Sequence, residues 1–251
     1  LTYSTRDAAA LLYARDLQFG EYGFSANICF QGQELPLRCR LWGEFNVLNS
    51  LAVIGVMLIR GFELQQILHS FTAVQVLPGR MQRVEIQQAV DREGDVGAID
   101  AEEIDVNVII DYAHTPEALK LVLDAIRQHT KGSLVCVFGC GGDRDIGKRP
   151  LMGEVAELGA DKLYLTSDNP RNEDPRLIID DICRGFKHKN TAVIELDREK
   201  AISRAIHEAK SGAVVLVAGK GHESEQLIKN KRYAFSDYQV ARRELLKRVA
   251  A

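Results

Sequence analysis

The pattern of apolar and polar positions changes near residue 78, and the two sides predict different structures. Before it, short apolar stretches over residues 20–41 are interrupted by glycines and by Gln31-Gly32-Gln33, which indicates antiparallel strands and a hairpin. Helical patterns follow over 46–58 and 62–71. This leading part has no regular alternation of strands and helices, and it is typical of the end of a domain whose main body is absent.

After residue 78, apolar strand patterns alternate with helical ones. Parallel strands need crossover connections, so the alternation predicts an α/β domain with a mostly parallel, Rossmann-like sheet covered on both faces. Thr115 and Pro116 have the residue types of an N-cap and a first helical position, and Ser236 and Gln239 have capping-box spacing. The predicted strands are 106–110, 134–138, 162–166, 192–196 and 214–218, and the predicted later helices are 149–158, 175–184, 198–209 and 236–249.

The turn-forming residues 77–80 mark the boundary between a domain over 1–78 and a domain over 79–251. With 251 residues and 46% apolar content, the chain can bury a substantial core. The net charge of −3 argues against nucleic-acid and membrane-surface partners. The longest apolar stretch, 51–59, is far shorter than the roughly 20 residues that span a bilayer. A cytoplasmic setting is therefore expected.

The five cysteines have no Cys-x-x-Cys spacing, so neither a zinc site nor a disulfide framework is predicted. Cys136 lies within an apolar strand pattern, where a thiol acts as a small hydrophobic group. The chain opens on Leu1 rather than methionine, so we expect a fragment of a longer protein.

The most informative polar segment, residues 167–171, directly follows an apolar strand pattern. It places Asp168, Asn169 and Arg171 on a loop that Pro170 keeps from becoming helical. A carboxylate, an amide and a forked guanidinium suit a small zwitterion, because they pair with an ammonium and a carboxylate. A turn that caps the following helix is the alternative, and these residues alone leave both open.

The glycine-rich segment 134–150 nearly matches two nucleotide-binding motifs and fits neither. Arg144 occupies the last glycine position of a dinucleotide fingerprint, and Arg149 replaces the hydroxyl residue of a phosphate loop. We expect the loop to present Arg144 at the sheet edge that also carries the 167–171 loop. A tight turn with solvated charges is the alternative.

Two further strand ends carry candidate residues. Gly219 would let a ligand approach the backbone closely, and Glu223 is a suitable acceptor for an ammonium. Asp111 and His114 precede a helix N-terminus, where phosphate binds readily, although a cap and a packed loop residue explain them equally well. Asn46 has the residue type of a cap for the helix that it begins.

Six segments in this order, GEFNVLN, PGRMQ, DYAHTPEAL, FGCGGDRDIGKRP, DNPR and GKGHE, resemble the Mur ligase family. The resemblance runs from about residue 41 to the end, and residues 1–40 match only in general character. It implies an ATP- and Mg²⁺-dependent ligase that adds meso-diaminopimelate to UDP-N-acetylmuramoyl-L-alanyl-D-glutamate through an acyl phosphate. Such an enzyme serves peptidoglycan synthesis, and hence cell wall biogenesis, cell shape and cell division.

The resemblance also implies a role for individual residues. The guanidinium of Arg171 favours diaminopimelate over lysine, because lysine lacks the second carboxylate that would pair with it. No catalytic residue and no metal ligand is assigned within this chain. The expected diaminopimelate contacts are Arg144, Asp168, Asn169, Arg171, Gly219 and Glu223, and the expected nucleotide contacts are Asn46, Arg80 and Asp111, with His114 near the phosphates.

The chain departs from the family in one large respect, since Gly-x-x-x-x-Gly-Lys-[Ser/Thr] does not occur in it. We therefore expect the end of a central ATPase domain followed by the amino-acid domain. Such a portion would be monomeric and inactive without its amino-terminal and central partners. Two alternatives stay open. One is a stand-alone amino-acid-binding or regulatory module, and the other is a nicotinamide-linked oxidoreductase, which fails at the glycine fingerprint.

Overall fold

The computed structural model describes residues 1–20, 22–86, 105–188 and 192–250. It divides into two compact units, one formed by Leu1–Val76 with Asp124–Lys131 and the other by Leu77–Leu123 with Gly132–Ala251. Each unit has its own hydrophobic core. Among the described residues, no helix combines the length and the apolar character that crossing a bilayer requires.

The first unit contains a four-stranded sheet in the order β1-β2-β3-β4, followed by helices α1 and α2. The predicted hairpin is present, with Gln31 at φ +48° and Gly32 at φ +80°, as expected of a type I′ turn. Leu37 on the sheet and Leu51 on α1 belong to one apolar core. The elements are β1 (Tyr3–Ser4), β2 (Leu12–Gly20), β3 (Gly23–Phe30), β4 (Gln33–Cys39), α1 (Glu44–Ile59) and α2 (Leu64–Ser70), and a short 3-10 turn (Phe71–Ala73) follows.

Helix α1 begins two residues before its predicted start, and this corrects the capping role considered for Asn46. Gly43, at φ +89°, is the N-cap, and Asn46 lies inside the first turn. The Asn46 side chain instead donates to the carbonyl oxygen of Trp42 at 2.8 Å. The positive φ of Gly43, which favours glycine, turns the chain into the helix at this point. The helix therefore begins before Asn46, the position that the preference for a polar cap predicts.

The second unit confirms the predicted α/β fold. Its six-stranded sheet has the order β5-β6-β10-β7-β8-β9, and only β5 runs antiparallel to its neighbour. The strands are β5 (Gln82–Arg83), β6 (Asn107–Asp111), β7 (Leu134–Phe138), β8 (Lys162–Leu165), β9 (Ala192–Ile194) and β10 (Val214–Ala218), and a separate hairpin consists of β11 (Glu225–Ile228) and β12 (Lys231–Ala234). The helices are α3 (Pro116–His129), of which residues 124–129 are grouped with the first unit, α4 (Lys148–Gly159), α5 (Pro175–Cys183), α6 (Arg198–His207) and α7 (Asp237–Val249).

The central strands are buried throughout, as expected when helices cover both faces of a sheet. Val135 and Val137 share a core with α6 and α7, so the intervening Cys136 points to the opposite face. Burial raises the pKa of the Cys136 thiol to about 12, which agrees with its predicted role as a small hydrophobic group. The predicted cap is also present, because Thr115 Oγ1 accepts from the Ala118 backbone N–H at 3.2 Å.

Candidate functional site

The carboxyl ends of the parallel strands carry the candidate residues of the second unit except Arg80, which lies just before the antiparallel β5. The glycine-rich loop follows β7, the 167–171 loop follows β8, and residues 219–223 follow β10. In parallel sheets these ends form the usual ligand-binding edge. The structure therefore gives the three loops the common location that the sequence predicted.

Asn169 joins two of these loops. It is buried, with 4% of its surface exposed, and its Nδ2 donates to Glu223 Oε2 at 2.9 Å. Its Oδ1 accepts from the Leu227 backbone N–H at 2.9 Å. Both ends of the amide are therefore engaged within the protein, which favours a role for Asn169 in shaping the site.

Arg171 is half-buried and takes a left-handed backbone conformation at φ +51°. Its backbone N–H donates to the Leu227 carbonyl at 3.0 Å, so a bridge to β11 holds this conformation. Its Nη1 donates to the Gly142 carbonyl at 2.8 Å. Within the described part of the chain, its Nε and Nη2 make no hydrogen bond and can receive a ligand's carboxylate.

The stem of the Arg144 side chain lies nearby, on the glycine-rich loop. Arg171 Nη1 and Arg144 Cγ lie 2.9 Å and 3.6 Å from the point that a Cβ on Gly141 would occupy. Arg144 is exposed and forms no ion pair with any described residue. An unpaired guanidinium at Gly141, with a second unpaired arginine on the same loop, favours an anionic ligand here.

The site also has an acidic side. Glu223 accepts two hydrogen bonds at Oε2, while its Oε1 has no partner among the described residues and the side chain is 31% exposed. Burial raises the pKa of Glu223, but hydrogen bonds from Lys220 and Asn169 outweigh it, and the pKa is lowered overall. The Asp168 Oδ2 lies 2.8 Å from where a Cβ on Gly219 would stand, so a side chain on Gly219, which is at φ +113°, would displace the Asp168 carboxylate and strain the backbone.

Sequence reasoning missed two buried cations that organise these loops. Lys220 is fully buried and forms an ion pair with Glu223 at 2.7 Å. Arg149 is 1% exposed and contacts Glu173 and Asp181 at 2.8 and 2.9 Å. A lysine between two glycines and an arginine after a glycine-rich loop both resemble exposed residues in sequence, so only the tertiary structure shows that they are buried.

The candidate nucleotide contacts of the second unit surround Tyr112. The Arg80 guanidinium lies 4.4 Å from the Tyr112 ring centroid, and the His114 ring lies 4.7 Å from it. Asp111 is buried and accepts from the backbone N–H groups of Met81 and Ala113, each at 2.7 Å. Burial raises the pKa of Asp111. These bonds give Asp111 a structural role, and its contact with a nucleotide stays a prediction.

The residues around Tyr112 pack against the residues that follow β10. The backbone of Gly79 packs so closely against Gly221 and His222 that a Cβ on Gly79 would overlap the His222 nitrogen. Asn46 belongs to the first unit, where its Oδ1 accepts from Asn49 at 3.2 Å. Two surface cavities of about 540 Å³ also lie in the first unit, and none of the candidate residues lines either of them.

Comparison with known proteins identifies the family of this chain. Residues 98–221 match the model of the family described as Mur ligase, glutamate ligase domain. The chain is 44% identical over 235 residues to the UDP-N-acetylmuramoyl-L-alanyl-D-glutamate–2,6-diaminopimelate ligase of Ectopseudomonas mendocina, covering 94% of this chain and 45% of that protein. It is 43% identical to the Pseudomonas aeruginosa enzyme of the same name, covering 98% of this chain and 47% of that one.

The chain belongs to the Mur ligase family. A solved diaminopimelate ligase of this family is 36% identical and superimposes with a TM-score of 0.72 over 98% of this chain and 47% of its own. An alanine-adding family member from Thermotoga maritima, at 16% identity and a TM-score of 0.63, supports the fold alone. The chain spans about half the length of the curated relatives that it matches. The resemblance and the fold predicted from the sequence are thus confirmed, whereas the roles of individual residues stay predictions.

Proposed function

We propose that this chain supplies the amino-acid-binding part of an ATP-dependent ligase that adds meso-diaminopimelate to UDP-N-acetylmuramoyl-L-alanyl-D-glutamate. One observation carries the proposal. The Arg171 guanidinium and the stem of the Arg144 side chain both lie beside Gly141 without a carboxylate partner among the described residues, while Glu223 offers a free oxygen on a neighbouring loop. Such an arrangement complements a group that carries an ammonium and a carboxylate together.

The distal end of diaminopimelate is such a group. Its carboxylate would pair with the Nε and Nη2 donors of Arg171 and with Arg144, and its ammonium with Glu223 Oε1 and Asp168. Lysine has the ammonium and lacks the carboxylate, so it would leave the half-buried Arg171 guanidinium without a partner. This difference is the physical basis of the proposed selectivity.

The proposed reaction activates the terminal carboxylate of the peptide as an acyl phosphate, which the amine of diaminopimelate attacks. ATP would supply the phosphoryl group. Arg80, Asp111 and His114 around Tyr112 fit a nucleotide, because an exposed guanidinium and an aromatic face suit phosphates and a base. Asn46 is proposed as a further nucleotide contact. Mg²⁺ is included in the proposal because the family resemblance implies it. No cluster of three potential metal-binding side chains occurs in the described residues.

Isothermal titration calorimetry with meso-diaminopimelate and L-lysine tests the binding side of the proposal. We expect the chain to bind diaminopimelate at least about tenfold more tightly than lysine, the difference made by one charge-assisted hydrogen bond. Arg171→Met and Arg144→Met should each weaken diaminopimelate binding and leave lysine binding nearly unchanged. Equal affinity for the two amino acids, unaffected by Arg171→Met, would contradict the proposal.

A chimera tests the catalytic side, because the curated relatives are about twice as long as this chain. The corresponding carboxyl-terminal half of the Pseudomonas aeruginosa relative is replaced by this chain, and phosphate release is followed with each amino acid. Release that depends on diaminopimelate and is lost in Arg171→Met supports the ligase. A folded chimera that binds diaminopimelate without turnover would favour an amino-acid-binding module.

A further inference from the structure

We propose that Lys220 is a positioning residue of the amino-acid site, which fixes the orientation of Asn169 and keeps Glu223 ionised and aimed at the ligand. Lys220 acts through these two side chains and does not touch the substrate. The inference rests on the proposed function of the same site and deepens it, because it names the group that prepares the ammonium-binding side.

The contacts of Lys220 exclude a direct role in ligand binding. Its side chain is fully buried, and its Nζ lies 3.0 Å from Asn169 Oδ1, 2.7 Å from Glu223 Oε2 and 2.9 Å from the Glu225 carbonyl oxygen. An ammonium has three N–H donors, and all three are used by these acceptors. No donor of Lys220 is left for a substrate.

The first consequence concerns Glu223. Lys220 and Asn169 occupy Oε2 and thereby hold the carboxylate in one rotamer with Oε1 directed away from both. The charged groups around Glu223 include Lys220 beneath it, Arg171 on the facing loop, and Arg198, whose buried guanidinium is influenced by both Glu223 and Asp168. His222 precedes Glu223 in the chain. Arg198 is paired with the buried Asp237, so Lys220 and Arg171 are the cations that favour the ionised carboxylate in spite of its burial.

The second consequence concerns the side-chain amide of Asn169. Its Oδ1 accepts from Lys220 Nζ and from the Leu227 backbone N–H, so the oxygen end must face these two donors. The Nδ2 end is then left to donate to Glu223. A flipped amide would place N–H groups against an ammonium, which is unfavourable. Lys220 thus selects the only orientation in which Asn169 supports Glu223.

The backbone around Lys220 is adapted to this inward position. Gly219 and Gly221 flank it at φ +113° and +54°, conformations that residues with side chains rarely adopt. A Cβ on Gly221 would come within 2.8 Å of the Tyr112 Cβ. The third bond of Lys220, to Glu225, holds the start of β11, and β11 in turn bridges to Arg171. One buried ammonium therefore links the acidic and the basic sides of the site.

The test combines a titration of Glu223 with ligand binding in Lys220→Met, which keeps the length of the side chain and removes its charge. The ¹³C resonance of the Glu223 carboxyl group, assigned by its absence in Glu223→Gln, should titrate at higher pH in Lys220→Met than in the parent chain. Diaminopimelate affinity should fall about tenfold at pH 7, the effect of losing one charge-assisted contact, and further at pH 5. Lys162→Met is the matched control, because it removes a 2.7 Å ion pair with Glu208 at the amino end of β8.

Loss of affinity with an unchanged Glu223 titration would overturn the inference, because a merely structural role gives that result. Unchanged affinity in a folded variant would overturn it as well. A Lys220→Met variant that does not unfold cooperatively is not properly folded, and the Glu223 titration is then measured in the parent chain alone. A Glu223 pKa at or above the usual carboxyl range in the parent chain contradicts the inference. A parent chain that fails to bind diaminopimelate, combined with a shifted Glu223 titration in Lys220→Met, contradicts the proposed function and supports the role of Lys220.

Discussion

Two groups of arginines at the same edge of the sheet behave in opposite ways. Arg144 and Arg171 have no carboxylate partners among the described residues, whereas Arg149 and Arg198 are buried and paired. Arg198 donates to both carboxylate oxygens of the fully buried Asp237 at 2.7 and 2.8 Å and to the Ala218 carbonyl at 2.9 Å. The first pair can bind a ligand, and the second pair holds the strand ends in place.

The comparison shows that residue type and loop position do not decide the role of a cation here. Arg144 and Arg149 are five positions apart in one segment, yet only Arg149 meets acidic side chains, because Glu173 and Asp181 approach it from the next loop and helix. A guanidinium with two carboxylate partners has little left to offer a ligand. Substitutions should therefore separate the two groups into stability effects and binding effects.

The largest loss of stability is expected for Arg198→Met. It leaves the Asp237 carboxylate buried without its counter-charge, which costs about 3–5 kcal/mol of unfolding free energy. Urea denaturation followed by circular dichroism measures this loss. Arg243→Met is the control, because it removes contacts of a 46% exposed side chain and should cost less than about 1 kcal/mol. Similar losses in the two variants would remove the distinction between buried and exposed pairs.

A smaller loss is expected for Arg149→Met. Its partners Glu173 and Asp181 are 26% and 14% exposed, so water can partly solvate them, and the cost should be about 2 kcal/mol. Arg144→Met, five residues away, should change the unfolding free energy by less than about 0.5 kcal/mol. The same urea experiment compares them. Equal destabilisation by both substitutions would show that Arg144 is also a structural residue.

A weaker and pH-dependent loss of stability is expected for Glu244→Gln. Glu244 accepts from Ser203, Arg243 and Lys247; burial raises its pKa, but these contacts outweigh burial and lower the pKa to about 2. A lowered pKa in the folded state stabilises above the usual 4.5, and this stabilisation is lost as the pH falls toward about 2. Glu244→Gln should cost about 1–2 kcal/mol at pH 7, because two of the partners are exposed. The difference between variant and parent should shrink below pH 4.5, and a constant difference from pH 7 to pH 2 would contradict the assignment.

The sequence predicted the parallel sheet and its edge well, for physical reasons. Strands β7 and β10 have the predicted bounds, because fully buried strands require uninterrupted apolar runs between turn residues. The hairpin β11–β12 was not predicted. Its residues are mostly exposed and show no alternation of apolar and polar positions. The hairpin is held by contacts with the loop of Arg171, and such contacts are not visible in a sequence pattern.

The sequence predicted which loops lie together at the candidate site, but it predicted less well which groups each residue in them contacts. Arg144, Asn169 and Glu223 were brought to one edge by strand order, which the alternation of elements indicates. The burial of Lys220 depends on Glu223, Asn169 and the Glu225 carbonyl meeting around one atom. These contacts depend on how the side chains of different loops pack, and the order of residue types along the chain does not show that packing.

A ¹⁵N NMR titration of the chain with meso-diaminopimelate shows whether the three loops form one amino-acid site. We expect saturable shifts in the backbone amides of three segments, residues 141–144, 168–171 and 219–223, with L-lysine affecting the first two much less. Shifts confined to other parts of the chain, or the same shifts with both amino acids, would contradict a shared site for a diamino diacid.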